Sequence, residues 1–149
     1  MRLFAPPKNI LVLDARGVTA GATASATFEH ARFGFVSLDI YGSSVAAATN
    51  RPSTIMLSES DTTEATAFEA IASLVGDGSH GFVIPNWYTS TATRQVVKIN
   101  IDLRTRKRYL LLSITPRTTQ DFIAMANLLQ GEVAPFDEAT SNTLSLVSA

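Results

Sequence analysis

The 149-residue chain contains no cysteine, which excludes a disulfide framework and every thiolate-based metal site. It has only two histidines, His30 and His80, and neither stands in an H-x-x-x-H or H-E-x-x-H spacing, so the ligands of a zinc centre are missing. Twelve basic and 13 acidic residues leave a net charge of −1, without the basic excess that phosphate-driven nucleic-acid binding requires. No stretch approaches the ~20 apolar residues of a membrane-spanning helix, and no G-x-S-x-G elbow seats a serine nucleophile. Together these absences predict a protein that is not an enzyme, uses no cofactor or metal, and engages neither nucleic acid nor membrane.

What is present is the vocabulary of short strands. With 46% hydrophobic and 17% charged residues the composition is that of a globular protein, and the length suits one domain. Residues 33–41 (FGFVSLDIY) place Val36, Leu38 and Ile40 on one face and Ser37, Asp39 and Tyr41 on the other. Residues 96–103 (VVKINIDL) likewise oppose Val97, Ile99, Ile101 and Leu103 to Lys98, Asn100 and Asp102. Residues 9–14 (NILVLD), 22–28 (ATASATF) and 53–58 (STIMLS) are shorter candidates bounded by Gly, Asn and Pro. Residues 108–115 (RYLLLSIT) are apolar on both faces, as in a central strand, and Pro116 stops them.

Two stretches fit either period. Residues 68–75 (FEAIASLV) and 122–129 (FIAMANLL) read as helix or strand; in the second, Phe122, Met125, Ala126 and Leu129 recur at helical spacing behind a capping Thr119-Gln120-Asp121. Gly131 follows that run after about eight residues, and short strands surround it, which favours strand there. Seven to nine strands then predict an all-β fold, an antiparallel β-sandwich or jelly roll with an extended N-terminal arm. The divisions are an arm at 1–8, a sandwich at 9–135 and a polar tail at 136–149.

Residues 74–85 (LVGDGSHGFVIP) carry Gly76, Gly78 and Gly81 in the G-x-G-x-x-G spacing of a dinucleotide-binding turn. That turn works only where it opens a helix, whose free N–H groups hold the pyrophosphate. Here the chain continues with β-branched and aromatic residues and Pro85, so a loop between strands is expected instead. The run Arg104-Thr105-Arg106-Lys107-Arg108 is short and flanked by strands, which predicts a solvated basic turn. Residues 58–64 (SESDTTE) lack the glycine and alternating acids of a calcium loop and read as an acidic surface loop.

Six residues stand out as candidates for contact with a partner. Leu3 and Phe4 are apolar, lie outside any core strand, and precede Pro6 and Pro7, which stiffen the chain into an arm. Trp87 and Tyr88 are adjacent aromatics that suit an interface, or a platform on which a sugar stacks. The prolines also interrupt the N-terminus before any apolar leader can form, so synthesis in the cytoplasm is expected.

The segments ILVLDARGVTAG, TIMLSESDTTEATAFEAIASLVGDG and VVKINIDLRTRKRYLLLSITP, taken in order, resemble small tailed-phage virion structural proteins of the head decoration (cement) type. In that family an apolar strand precedes a Ser-Asp-rich loop, an F-x-x-I segment and a late D-L-R-x-x-K-R-Y-L strand. The matching positions are Ser60, Asp61, Phe68, Ile71, Asp102, Leu103, Arg104, Lys107, Arg108, Tyr109 and Leu110, and the resemblance covers most of 9–135. It implies a sandwich or jelly-roll body on the capsid surface of a virion, made in the host cytoplasm, bound to the major capsid protein, and assembled as a homotrimer without catalytic residues. The 31 serines and threonines suit an adhesive role of that kind. A different expectation for the same chain is a carbohydrate-binding module or head-fibre adhesin, with Trp87 and Tyr88 as its platform.

Overall fold

A computed structural model describes residues 7–30, 33–85, 96–130 and 145–148. Nine strands account for most of them: β1 (Lys8–Val18), β2 (Ala24–Glu29), β3 (Phe35–Gly42), β4 (Thr54–Ser60), β5 (Glu69–Gly76), β6 (Val96–Asp102), β7 (Tyr109–Thr115), β8 (Gln120–Leu129) and β9 (Ser145–Ser148). Among the described residues the helical content is two single 3-10 turns, Ala48–Asn50 and Ala65–Ala67. Among the described residues no helix is long and apolar enough to cross a membrane.

The strands form two packed sheets, ordered β1-β8-β3-β6-β9 (sheet A) and β2-β7-β4-β5 (sheet B). Through the first eight strands every pairing is antiparallel. The nearest partners across the chain are β1 with β8, β2 with β7, β3 with β6 and β4 with β5, the nested order of a jelly roll. The expected β-sandwich is thus present, with its first eight strands in jelly-roll order.

Both ambiguous stretches are strands. Along β8, Phe122, Ala124, Ala126 and Leu128 point inward and are buried, whereas Ile123 and Met125 point out. The helical spacing of Phe122, Met125, Ala126 and Leu129 is a coincidence of a strand that is apolar on both faces. In β5 the inward residues Ile71 and Leu74 are three apart because the strand bulges against β4; that irregularity is what mimicked a helix. β1 extends to Val18, beyond the expected residues 9–14, by means of two register shifts against β8.

The tail contains an element that its composition conceals. β9 adds to sheet A beside β6, with Val97 opposite Ser145, and it is the one parallel pairing among the described strands. A parallel partner needs a connection of about a dozen residues or more, and residues 103–144, which include β7 and β8, lie between β6 and β9.

The core lies between the sheets. Val36, Leu38 and Ile40 from β3, Val97, Ile99 and Ile101 from β6, and Leu110, Leu112 and Ile114 from β7 are all fully buried in one cluster. Ala124 and Ala126 of β8 are also fully buried, so small and large side chains share the space between the layers. Leu112→Ala should therefore lower unfolding free energy by about 2–5 kcal/mol through the cavity it opens. Ala124→Leu should cost about 1–3 kcal/mol by overpacking. Urea denaturation monitored by circular dichroism measures both.

Candidate association surface and loop ends

Because the strands alternate in direction, the connections divide between two ends. The β1–β2, β3–β4, β5–β6 and β7–β8 connections leave from one end; β2–β3, β4–β5 and β6–β7 leave from the other. The second end holds the basic turn. There Arg104 donates to Asp102 at 2.6 Å, Arg106 lies 3.5 Å from Glu59, Lys107 2.8 Å from Glu69, and Arg108 2.6 Å from Glu29. Arg104 also stacks over Phe35, and Arg108 over Tyr109. Each cation of the turn is thus committed to a carboxylate, as befits a surface turn. The side-chain hydrogen bonds from Arg104, reinforced by its backbone N–H, hold the Asp102 carboxyl at about 2. Buried His30 donates from Nε2 to the Lys107 carbonyl oxygen and pins the turn against the sandwich.

At the first end, the three glycines of residues 76–81 have separate structural reasons. Gly76 leaves room for the Phe82 ring, which a Cβ would approach to 2.6 Å; Gly78 has φ +87°; and Gly81 has φ +56° with its Cα against the Val75 carbonyl, 2.5 Å from where a Cβ would stand. Between them, Asp77 Oδ1 accepts from the backbone N–H groups of Ser79 (2.8 Å) and His80 (2.9 Å), and Oδ2 contacts His80 Nδ1 at 2.9 Å. A phosphate loop would need those N–H groups for its ligand. Here a carboxylate of the loop itself takes them, and residues 82–85 form no helix.

The outer face of sheet A differs from an ordinary solvated face. Leu11 on β1, Tyr41 on β3, and Ile123 and Met125 on β8 are 58%, 46%, 40% and 38% exposed. Leu11 is opposite Met125, and Ile123 is opposite Tyr41, so the four form one contiguous patch across three strands. Next to it the Lys98 ammonium contacts Asp39 Oδ1 and donates to Ser37 Oγ at 3.3 Å, while Asn127 donates to Asp39 Oδ2 at 3.4 Å. The Lys98 and Asp39 side chains retain about a tenth of their exposure, 10% and 13%. Burial, with a smaller contribution from the Asp39 charge, raises the Tyr41 phenol above its usual range.

Of the six sequence candidates, Leu3, Phe4, Pro6, Trp87 and Tyr88 lie outside the described residues; Pro7 is exposed immediately before β1. The patch residues were not among them. Their signal was the outward apolar position in a strand whose other face is also apolar, which helical spacing had masked in residues 122–129. Among the described residues no three His, Asp or Glu side chains gather as a metal site. No protein-family model matches the chain, and no curated protein matches it either.

Two outcomes follow for the glycine loop. Gly78→Ala should lower stability by about 1 kcal/mol through its positive φ, and Gly81→Ala by more, because backbone also stands in the way; chemical denaturation ranks them. The Asp77 carboxyl, held down by His80 first and the two N–H groups next, titrates at about 2 instead of 3.8. Since folding lowers this pKa, its stabilisation is complete above about 3.8 and is lost as pH falls through about 2. Carboxyl-carbon NMR should give that midpoint, and Asp77→Asn should speed amide exchange at Ser79 and His80.

Proposed function

We propose that this chain is a virion structural protein that decorates and stabilises a capsid, acting as a cement protein. The observation that carries this reading is the apolar patch of Leu11, Tyr41, Ile123 and Met125 on the outer face of sheet A, since adjoining apolar side chains left in water favour contact with a partner. The jelly-roll order supports it: that architecture serves viral capsid domains, and lectins too, so the fold alone does not decide. The resemblance of residues 9–135 to phage decoration proteins adds the particular setting. The partner is then the major capsid protein, and the working form is a homotrimer on the capsid surface.

Such a role needs only modest affinity at each contact. Copies that bind one lattice together multiply their hold without any single strong site. The patch is suited to that: each side chain is part exposed, and full burial of one such residue is worth about 1.5–3 kcal/mol.

Quantitative mass spectrometry of purified particles from the source should find the chain in many copies per particle, in fixed ratio to the major capsid protein. Absence from particles, or a trace amount, would overturn the proposal. Met125→Glu should reduce occupancy about tenfold or more, while stability of the free protein stays within about 0.5 kcal/mol, as for other surface changes. A glycan array in which the free protein binds a sugar, with no particle association, would instead establish a lectin.

A further inference from the structure

We propose that the cleft between the β3–β4 and β7–β8 connections is a binding site for one oxyanion, the carboxylate or phosphate group of a ligand. This site is separate from the apolar patch and does not depend on it. Arg51, Pro52 and Ser53 of the first connection and Arg117 of the second line it, together with Asp77, Gly78 and Ile84 from the segment after β5.

Pairing sets these two arginines apart. Arg16, Arg104, Arg106 and Arg108 each lie within 3.6 Å of an acid. Arg51 and Arg117 are the two described arginines that have no carboxylate partner among the described residues, and both line the same cleft. A guanidinium offers a planar fork of N–H donors that matches carboxylate and phosphate oxygens. Asp77, the acid in the cleft, offsets one of the two charges but makes no ion pair with either arginine, its oxygens being engaged by the Ser79 and His80 N–H groups and the His80 ring. Two cations against one committed anion leave the cleft positive.

The cleft is also tied in place. Ser53 donates from both its backbone nitrogen and its hydroxyl to the Thr115 carbonyl, at 2.9 and 3.0 Å. Gln120 donates to the Ser43 carbonyl, and Ser43 Oγ accepts from the Asp121 nitrogen. The segments that carry Arg51 and Arg117 are thereby cross-linked before any ligand arrives, which reduces the ordering cost of binding. The volume, about 40 Å³, suits a single oxyanion head group. It is far below the ~300 Å³ at which sites for whole small molecules begin, so the cleft takes the anionic group and not a nucleotide.

The test is NMR of the arginine Nε–Hε groups in the full chain, titrated with inorganic phosphate or with acetate, ionic strength held constant with chloride. Saturable shifts at Arg51 and Arg117, larger than those at Arg16 and Arg104, are expected. Saturation by phosphate alone assigns a phosphate group, and saturation by acetate as well assigns a carboxylate. Arg51→Gln and Arg117→Gln should each weaken binding about tenfold or more, with Arg117→Lys, which keeps charge but not the fork, in between. Linear shifts of equal size at all four arginines would overturn the site. So would undiminished binding in both glutamine variants, provided their circular dichroism matches the parent.

Discussion

The pairing of β1 with β8 is the constraint on which the rest depends. It places Lys8 opposite Leu128, so that the opening strand of the described chain completes sheet A only when the eighth strand has arrived. Every other antiparallel pair is nested inside it, down to β4 with β5, while the parallel β6–β9 pair lies outside the nest. Such non-local pairing is entropically costly before it is rewarded. The reward is one core to which both sheets contribute aliphatic residues that are fully buried. β1 is also an edge, and its two register shifts against β8 break the regular ladder that would otherwise invite pairing with another chain.

Nesting also separates the two ends of the molecule electrostatically. At one end, the cations of the β6–β7 turn meet acids from β2, β4, β5 and β6. Exposed ion pairs of this kind contribute little stability each, but they remove the turn's net attraction for phosphate. At the other end, Asp77 is engaged in shaping its own loop, and Arg51 and Arg117 beside it have no carboxylate partner among the described residues. The glycine loop that first suggests a phosphate site therefore does contribute, through Asp77 and Gly78, to the lining of the cleft that holds the two arginines. The charge comes from arginines on neighbouring loops, and the loop N–H groups are occupied.

The alternating strands were legible because one face is apolar and the other polar, even where, as at Ser37, Lys98 and Asn100, the polar face is itself buried. Val97, Ile99, Ile101 and Leu103 are all buried as their spacing requires. Where that contrast was absent, periodicity alone did not decide, although the short run before Gly131 rightly favoured strand for residues 122–129. β8 is apolar on both faces, β5 is bulged, and β9 is a short run whose partner lies on a strand some fifty positions earlier. The order of strands is not written in any local pattern; it depends on long-range pairing. The surface candidates fared differently, because sequence identifies conspicuous aromatics and not which apolar residues remain outside. Leu11 and Met125 look like core residues until the register shows them on the outer face.

The same register joins the proposed association surface to the closure of the fold. Alternation lets β8 send Phe122, Ala124, Ala126 and Leu128 into the core while presenting Ile123 and Met125 outward. With Leu11 on β1 and Tyr41 on β3, the patch lies across both seams of β8, including the one that closes the nest. In the unfolded chain those four residues share no surface. Whatever binds the patch therefore binds only the closed form, and stabilises it by RT ln(1 + [L]/Kd). A partner seated there would clamp the pairing that the fold makes at greatest sequence distance, so that assembly and folding stability reinforce one another through a single strand.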